Sequence, residues 1–228
     1  MKILACSILL LASFSAQALF AQGRTKFGDT PATPHFVFDD DGGRVQIVPP
    51  DFATAGEKKF HRGAVMKSVQ QVSIFLGHGW GDAKTRSREA ALSDLVTNGG
   101  ANSVDLQKHG INVLPAHPSQ EDFSEFGGGQ VNDLQIQRRL AEMLQSKAIP
   151  APAASKVYVI FLAPDVNSSL GAHKPGADYL AYHNFVHVGS SELRYVVVPF
   201  DANPDRQRAA ASRALVETAL NPSGNGWY

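Results

Sequence analysis

The chain has 228 residues with 21 basic and 21 acidic side chains, a formal net charge of zero, and no Lys/Arg block. That balance excludes the charge footprint of a nucleic-acid binder and gives no attraction to an anionic membrane surface. A single cysteine, Cys6, excludes an intramolecular disulfide, so the fold must rest on its core.

Residues 1–18 have the order of a secretory signal peptide: Lys2, an apolar run over residues 3–14, then Ala16-x-Ala18. The run is too short to span a bilayer stably. Cleavage is expected after Ala18, with Ala21 the second position; a buried N-terminal helix is the alternative. No later apolar segment is long enough to cross a membrane, so a secreted or periplasmic protein without an integral membrane segment is expected. The remaining ~200 residues can bury roughly 70–75% of their unfolded surface, enough for one domain.

Residues 19–57 are rich in Pro, Gly, Asp and Thr and predict a flexible segment with one hairpin. Its strands are "HFVF" and "RVQIV", joined by "DDDGG" at residues 39–43. The aspartates lack the alternating ligands, sixth-position glycine and distant Glu of a calcium loop, so a solvated turn is expected.

Residues 58–228 form the predicted body. "SVQQVSIFLG" (68–77) is an apolar, β-branched run that predicts a buried strand. A helix should follow, with Asp82 as N-cap, one face of Ala90, Ala91, Leu95 and Val96, and a stop at Gly99. "PAHPSQEDFSEFGGG" (115–129) predicts a long loop. Asn132 and Gln135 make a capping-box pattern ahead of Ile136, Leu140, Met143 and Leu144 at helical spacing. "KVYVIFLAP" (156–164) predicts the most buried strand, with both faces covered. Residues 179–200 predict two strands around a Gly189-Ser190 turn. Asn203-Pro204 opens a last helix and Asn221-Pro222 closes it. The whole predicts an α/β fold: a single layered domain with a mixed β-sheet flanked by helices.

Three stretches invite chemistry. "IFLGHGWGD" (74–82) is similar to the strand-plus-His-Gly opening of α/β-hydrolases, where backbone amides form an oxyanion hole. The chain has no G-x-S-x-G nucleophile turn, and Ser190-Ser191 lacks its glycines. Gly77, Gly79 and Gly81 are therefore expected to let a strand turn closely into a helix. His183 and His187 would face one side of a strand about 13 Å apart, too far for two ligands of one zinc without a bend. His35, His61, His78, His109, His117 and His173 show no ligand spacing.

The third stretch is "ASRALVETALNPSGNGWY" (211–228). A zinc-protease helix carries ligands at i and i+4 and a general-base Glu directly after the first. Arg213 and Glu217 occupy the ligand spacing and Ala214 the base position. Arginine has no lone pair for zinc and alanine cannot activate water. Only Glu217 keeps a coordinating group. A polar stripe of Arg206, Arg213 and Glu217 on an amphipathic helix accounts for the same residues.

Four segments, "HRGAVMKSVQQVSIFLGHGWGD", "SKVYVIFLAPDV", "YLAYHNFVHVGSSELRYVVVPF" and "SRALVETALNPSGNGWY", together resemble the EXORDIUM-like (phosphate-induced protein) family over residues 61–228. Family members commonly show His-Glu-Leu-x-Glu, then Asn/Asp-Pro and Asn-x-Trp-Tyr. Leu215, Glu217, Asn221, Pro222, Asn225, Trp227 and Tyr228 match that pattern, while Arg213 and Ala214 replace the His-Glu pair. Family chains usually continue past Trp-Tyr with an acidic segment; the present sequence ends at Tyr228, so a third ligand is not expected from there. The resemblance implies an extracellular protein with a zincin-like C-terminal helix and, in plants, a part in growth or cell-wall responses.

The expectation is an exported protein with a binding or structural role toward a cell-envelope or extracellular ligand, not an enzyme. Arg213, Ala214 and Glu217 form a degenerate motif, and His183, Asn221, Asn225 and Trp227 are candidate site-lining residues. No cofactor is expected. The alternative is a zinc-dependent hydrolase or peptidase whose ligands include Glu217 and His183.

Overall fold

The computed structural model describes residues 36–39, 43–51, 62–97, 101–126 and 129–223. The predicted signal segment, its cleavage positions, His35, His61, Gly99, Asn225, Trp227 and Tyr228 lie outside these residues. The described residues belong to one compact unit, Pro31–Tyr228.

The centre of the sheet is built from the apolar runs. β3 (Ser68–Leu76) and β7 (Lys156–Leu162) pair in parallel, and β10 (Ser191–Val198) joins β7 in parallel on its other side. β9 (Ala181–Val188) and β10 form an antiparallel hairpin about Gly189, whose φ of +62° suits a glycine. Beyond β9 lies β2 (Arg44–Val48), antiparallel, and then β1 (Phe36–Phe38). At the other edge, β3 pairs in parallel with β4 (Asn112–Val113) and β5 (His117–Asp122). The result is a mixed eight-stranded sheet, with β6 (Gln130–Asn132) and β8 (Asn167–Ser169) in a separate parallel pair.

Residues paired across neighbouring strands share a face of the sheet. One face carries Ile74, Leu76 and Ile160, packed against Ile136, Leu140 and Met143 of α4 (Asp133–Gln145). The other carries Phe75 and Phe161, stacked at 5.2 Å and covered by Trp80, whose Nε1 donates to the Phe161 carbonyl at 2.9 Å. α5 (Pro204–Leu220) packs on β2, β7, β9 and β10, and α3 (Ala101–Lys108) packs on α5. β7 is thus covered on both faces, and its residues from Val157 to Leu162 are all buried. Helices on both sides of a largely parallel sheet make this an α/β domain.

The predicted caps form. Asn132 Oδ1 accepts from Gln135 N, and Gln135 Oε1 accepts from Asn132 N, both at 2.9 Å. Asn203 Oδ1 accepts from the amides of Asp205 and Arg206, with Pro204 in the first helical position.

Three of the predicted elements differ from expectation, and α3, β4, β6 and β8 have no counterpart in the sequence reading. The helix predicted after Asp82 is two short pieces, α1 (Ala83–Arg86) and α2 (Glu89–Leu92). Ser87 and Ser93 hydroxyls turn back to the carbonyls of Lys84 and Glu89, which competes with helix continuation. Gln71, reaching out of β3, then holds the Leu92 carbonyl and the Leu95 amide at 2.6 and 2.8 Å, ending α2. The predicted loop over residues 115–129 contains β5, a polar edge strand whose Pro118 an edge tolerates. Finally, the β1–β2 hairpin is no appendage. β2 pairs with β9 and buries Val45, Ile47 and Val48, so the compact unit reaches well before residue 58.

Candidate functional site

α5 carries the degenerate motif on a helix whose inner face is small and apolar. Ala210, Ala211, Ala214, Leu215, Ala219 and Leu220 are buried, so Ala214, at the general-base position of the resemblance, faces the core. Arg213 sits at the edge of this face, and its Nε donates to Glu217 Oε1 at 2.6 Å. The pair is partly buried, with side-chain exposures of 27% and 12%. A guanidinium therefore engages the one carboxylate that a zincin-like helix would offer to a metal.

α5 ends at the predicted Asn221-Pro222 stop. The Asn221 amide donates to the Glu217 carbonyl at 2.8 Å, and its side chain leaves the helix to reach β2, where Nδ2 donates to Gln46 Oε1 at 2.9 Å. Gln46 stands opposite His183 in the β2–β9 register. These three buried side chains line a cleft of about 40 Å³ with Arg44, Asn184, Phe185, Pro222 and Ser223. That is room for roughly two or three waters. The structure thus brings together two predicted site residues, His183 and Asn221. Gln46 and Arg44 were not predicted; they come from the segment whose composition suggests a linker, and only the strand pairing reveals them.

His183 and His187 are four residues apart on an uninterrupted strand. His183 is buried between Gln46 and Val196, whereas His187 is exposed opposite Glu192. No bend brings them to one point. Among the described residues no three His, Cys, Asp or Glu side chains gather as a metal-binding group. The donor set on α5 does not fit zinc either, because Arg213 offers only donors and Ala214 offers nothing.

The His-Gly stretch after β3 has a packing explanation. Gly77 has a φ of +112°, and a Cβ there would lie 2.7 Å from Val166 Cγ2 and 2.8 Å from Ala163 Cβ. The Gly79 amide donates to Asp165 Oδ1 at 2.9 Å, so that donor is turned toward the loop after β7. Exposed His78 stacks on Phe123 and faces Glu125 at 3.3 Å.

Two buried carboxylates were not predicted. Asp122, at the end of β5, is clasped by Arg139 of α4 through Nε–Oδ2 at 2.6 Å and Nη2–Oδ1 at 2.8 Å. Burial alone would raise its pKa, but the bonds from Arg139 and Ser124 outweigh it and hold the carboxyl below its ordinary range. Asp133, the first residue of α4, is fully buried among Tyr195, Gln137 and Asn184, and there burial wins and raises the pKa. Helix-opening aspartates are usually solvated, so nothing in the local sequence marks this one as inward-facing.

No protein-family model, curated protein or solved structure matches this chain.

Proposed function

We propose that the chain is an exported, EXORDIUM-like protein with a binding or structural role at the cell envelope or outside the cell. Its metalloprotease-like helix serves packing and cleft formation, not catalysis. The observation that supports this reading is the Arg213–Glu217 pair at 2.6 Å, beside an Ala214 that faces the core. A side-chain cation neutralises the carboxylate that would otherwise serve a metal. The cleft lined by Gln46, His183 and Asn221 is the site where a small polar ligand group would seat. Among the described residues no helix is long and apolar enough to cross a membrane.

The deciding experiment is metal analysis of the purified chain after equilibration with zinc. Less than stoichiometric metal and an unchanged melting temperature are expected. Stoichiometric zinc that disappears on Glu217→Ala or His183→Ala would overturn the proposal in favour of a zinc-dependent hydrolase.

A further inference from the structure

On the opposite face of β9 from the cleft, Asp133 turns its side chain away from solvent at the very start of α4. Its carboxyl is fully buried. Three donors converge on one of its oxygens: Oδ2 accepts from the Tyr195 hydroxyl at 2.7 Å, Gln137 Nε2 at 2.8 Å and Asn184 Nδ2 at 3.1 Å. The other oxygen, Oδ1, is buried and has no hydrogen-bond partner among the described residues. The Tyr182 hydroxyl faces the same carboxyl and adds a fourth, weaker contact that favours its ionised form.

Among the described residues no cation pairs with this group. β9 presents Tyr182 and Asn184, β10 presents Tyr195, and α4 presents Gln137; Tyr179 stands edge-on behind Tyr182 at 6.0 Å. Arg139, the half-buried cation of α4, is engaged with Asp122 and Glu142. His183 belongs to the other face of the strand, in register with Gln46 and Val196. The three donors, the Tyr182 hydroxyl and the positive end of the α4 dipole favour an anion here. Against them stands the cost of an ionised carboxylate sealed from water without a counter-charge. A proton on the unpartnered Oδ1 removes that cost.

We propose that Asp133 is a buried proton-binding site, a carboxyl that in the folded protein keeps its proton to higher pH than an ordinary aspartate, which makes the seating of α4 on the β9–β10 hairpin sensitive to pH. The raised pKa of Asp133, caused first by burial, agrees with this geometry. Tyr182 and Tyr195 are held well above their ordinary values, again first by burial and then by Asp133, so they remain hydroxyl donors. The sign follows from linkage. A raised folded pKa means that the native state binds more protons than the unfolded chain. The stabilisation is complete below the ordinary value of 3.8 and is lost as pH rises through the folded value. Acidification therefore tightens α4, and alkalinisation loosens it.

This inference rests on the hydrogen-bond geometry and not on the family resemblance. The test is a carboxyl ¹³C NMR titration of the full chain. The Asp133 resonance is expected to titrate above 3.8 and to move further up in Tyr195→Phe, which removes the shortest donor bond to the ionised form. Titration at or below that value, or a downward move in Tyr195→Phe, would refute the proposal. Denaturant midpoints supply a second readout. Asp133→Asn should gain on the wild type as pH rises above 3.8 and then level off. A pH-independent difference would refute it equally.

Discussion

Arg213 and Glu217 stand in the weaker helical order, with the acid four residues C-terminal to the base. On an exposed helix such a pair contributes only a few tenths of a kcal/mol. Here the carboxylate is nearly covered, so truncating the arginine leaves a charged acceptor short of its donor in partly excluded solvent. Arg213→Ala is expected to cost roughly 1–3 kcal/mol in a denaturant titration. A loss below about 0.5 kcal/mol would show that the pair behaves as a surface contact. The i, i+4 pairing of these two residues was legible in the sequence because helical periodicity alone brings them together. Gln46, the partner of Asn221 across 175 positions, was not, because no local pattern couples β2 to the end of α5.

At the scale of elements, β3, β7, α4 and α5 were legible because each carries its own signal: a continuous apolar run, or a cap followed by helical spacing. β5 carries none. Its sequence "HPSQED" is polar, and it is a strand only because β3 offers a free edge and α4 offers Arg139. The Asp122–Arg139 clasp therefore ties an otherwise loop-like strand to the helix beyond it. Its pH dependence runs opposite to that of Asp133. A folded pKa below the ordinary value of 3.8 means that the stabilisation is present above that value and is lost as pH falls through the folded one. Asp122→Asn should cost about 1.5–3 kcal/mol at neutral pH, and the gap to the wild type should shrink in acid. Denaturant midpoints at neutral pH and at pH values below 3.8 check this, and a constant gap would sink it.

The whole molecule is layered about β7. Ile160 points to α4, and its neighbour Phe161 points to Phe75 and Trp80, so adjacent residues of one strand hold the two helical layers in place. Ile160→Ala is expected to cost roughly 2–5 kcal/mol by denaturant titration, as a large-to-small change at a closed interface. A cost under about 1 kcal/mol would mean that the α4 layer collapses readily onto the strand. The layered architecture was legible in the alternation of apolar strands and capped helices. The extent of the sheet was not, since two short strands in a Pro-, Gly- and Asp-rich segment complete it only by pairing with a distant hairpin.

That pairing orders events in time. β2 finds its place only beside β9, with Gln46 against His183 and Ile47 against Tyr182. During synthesis the ribosome delivers β2 long before β9 exists, so the first hairpin must wait without its sheet neighbour until most of the chain has emerged. Contacts of such high sequence separation slow folding, because a large loop has to close before they reward it. A sheet that closes across so long a stretch of chain is completed late, and its first hairpin stays exposed at an unpaired edge until then.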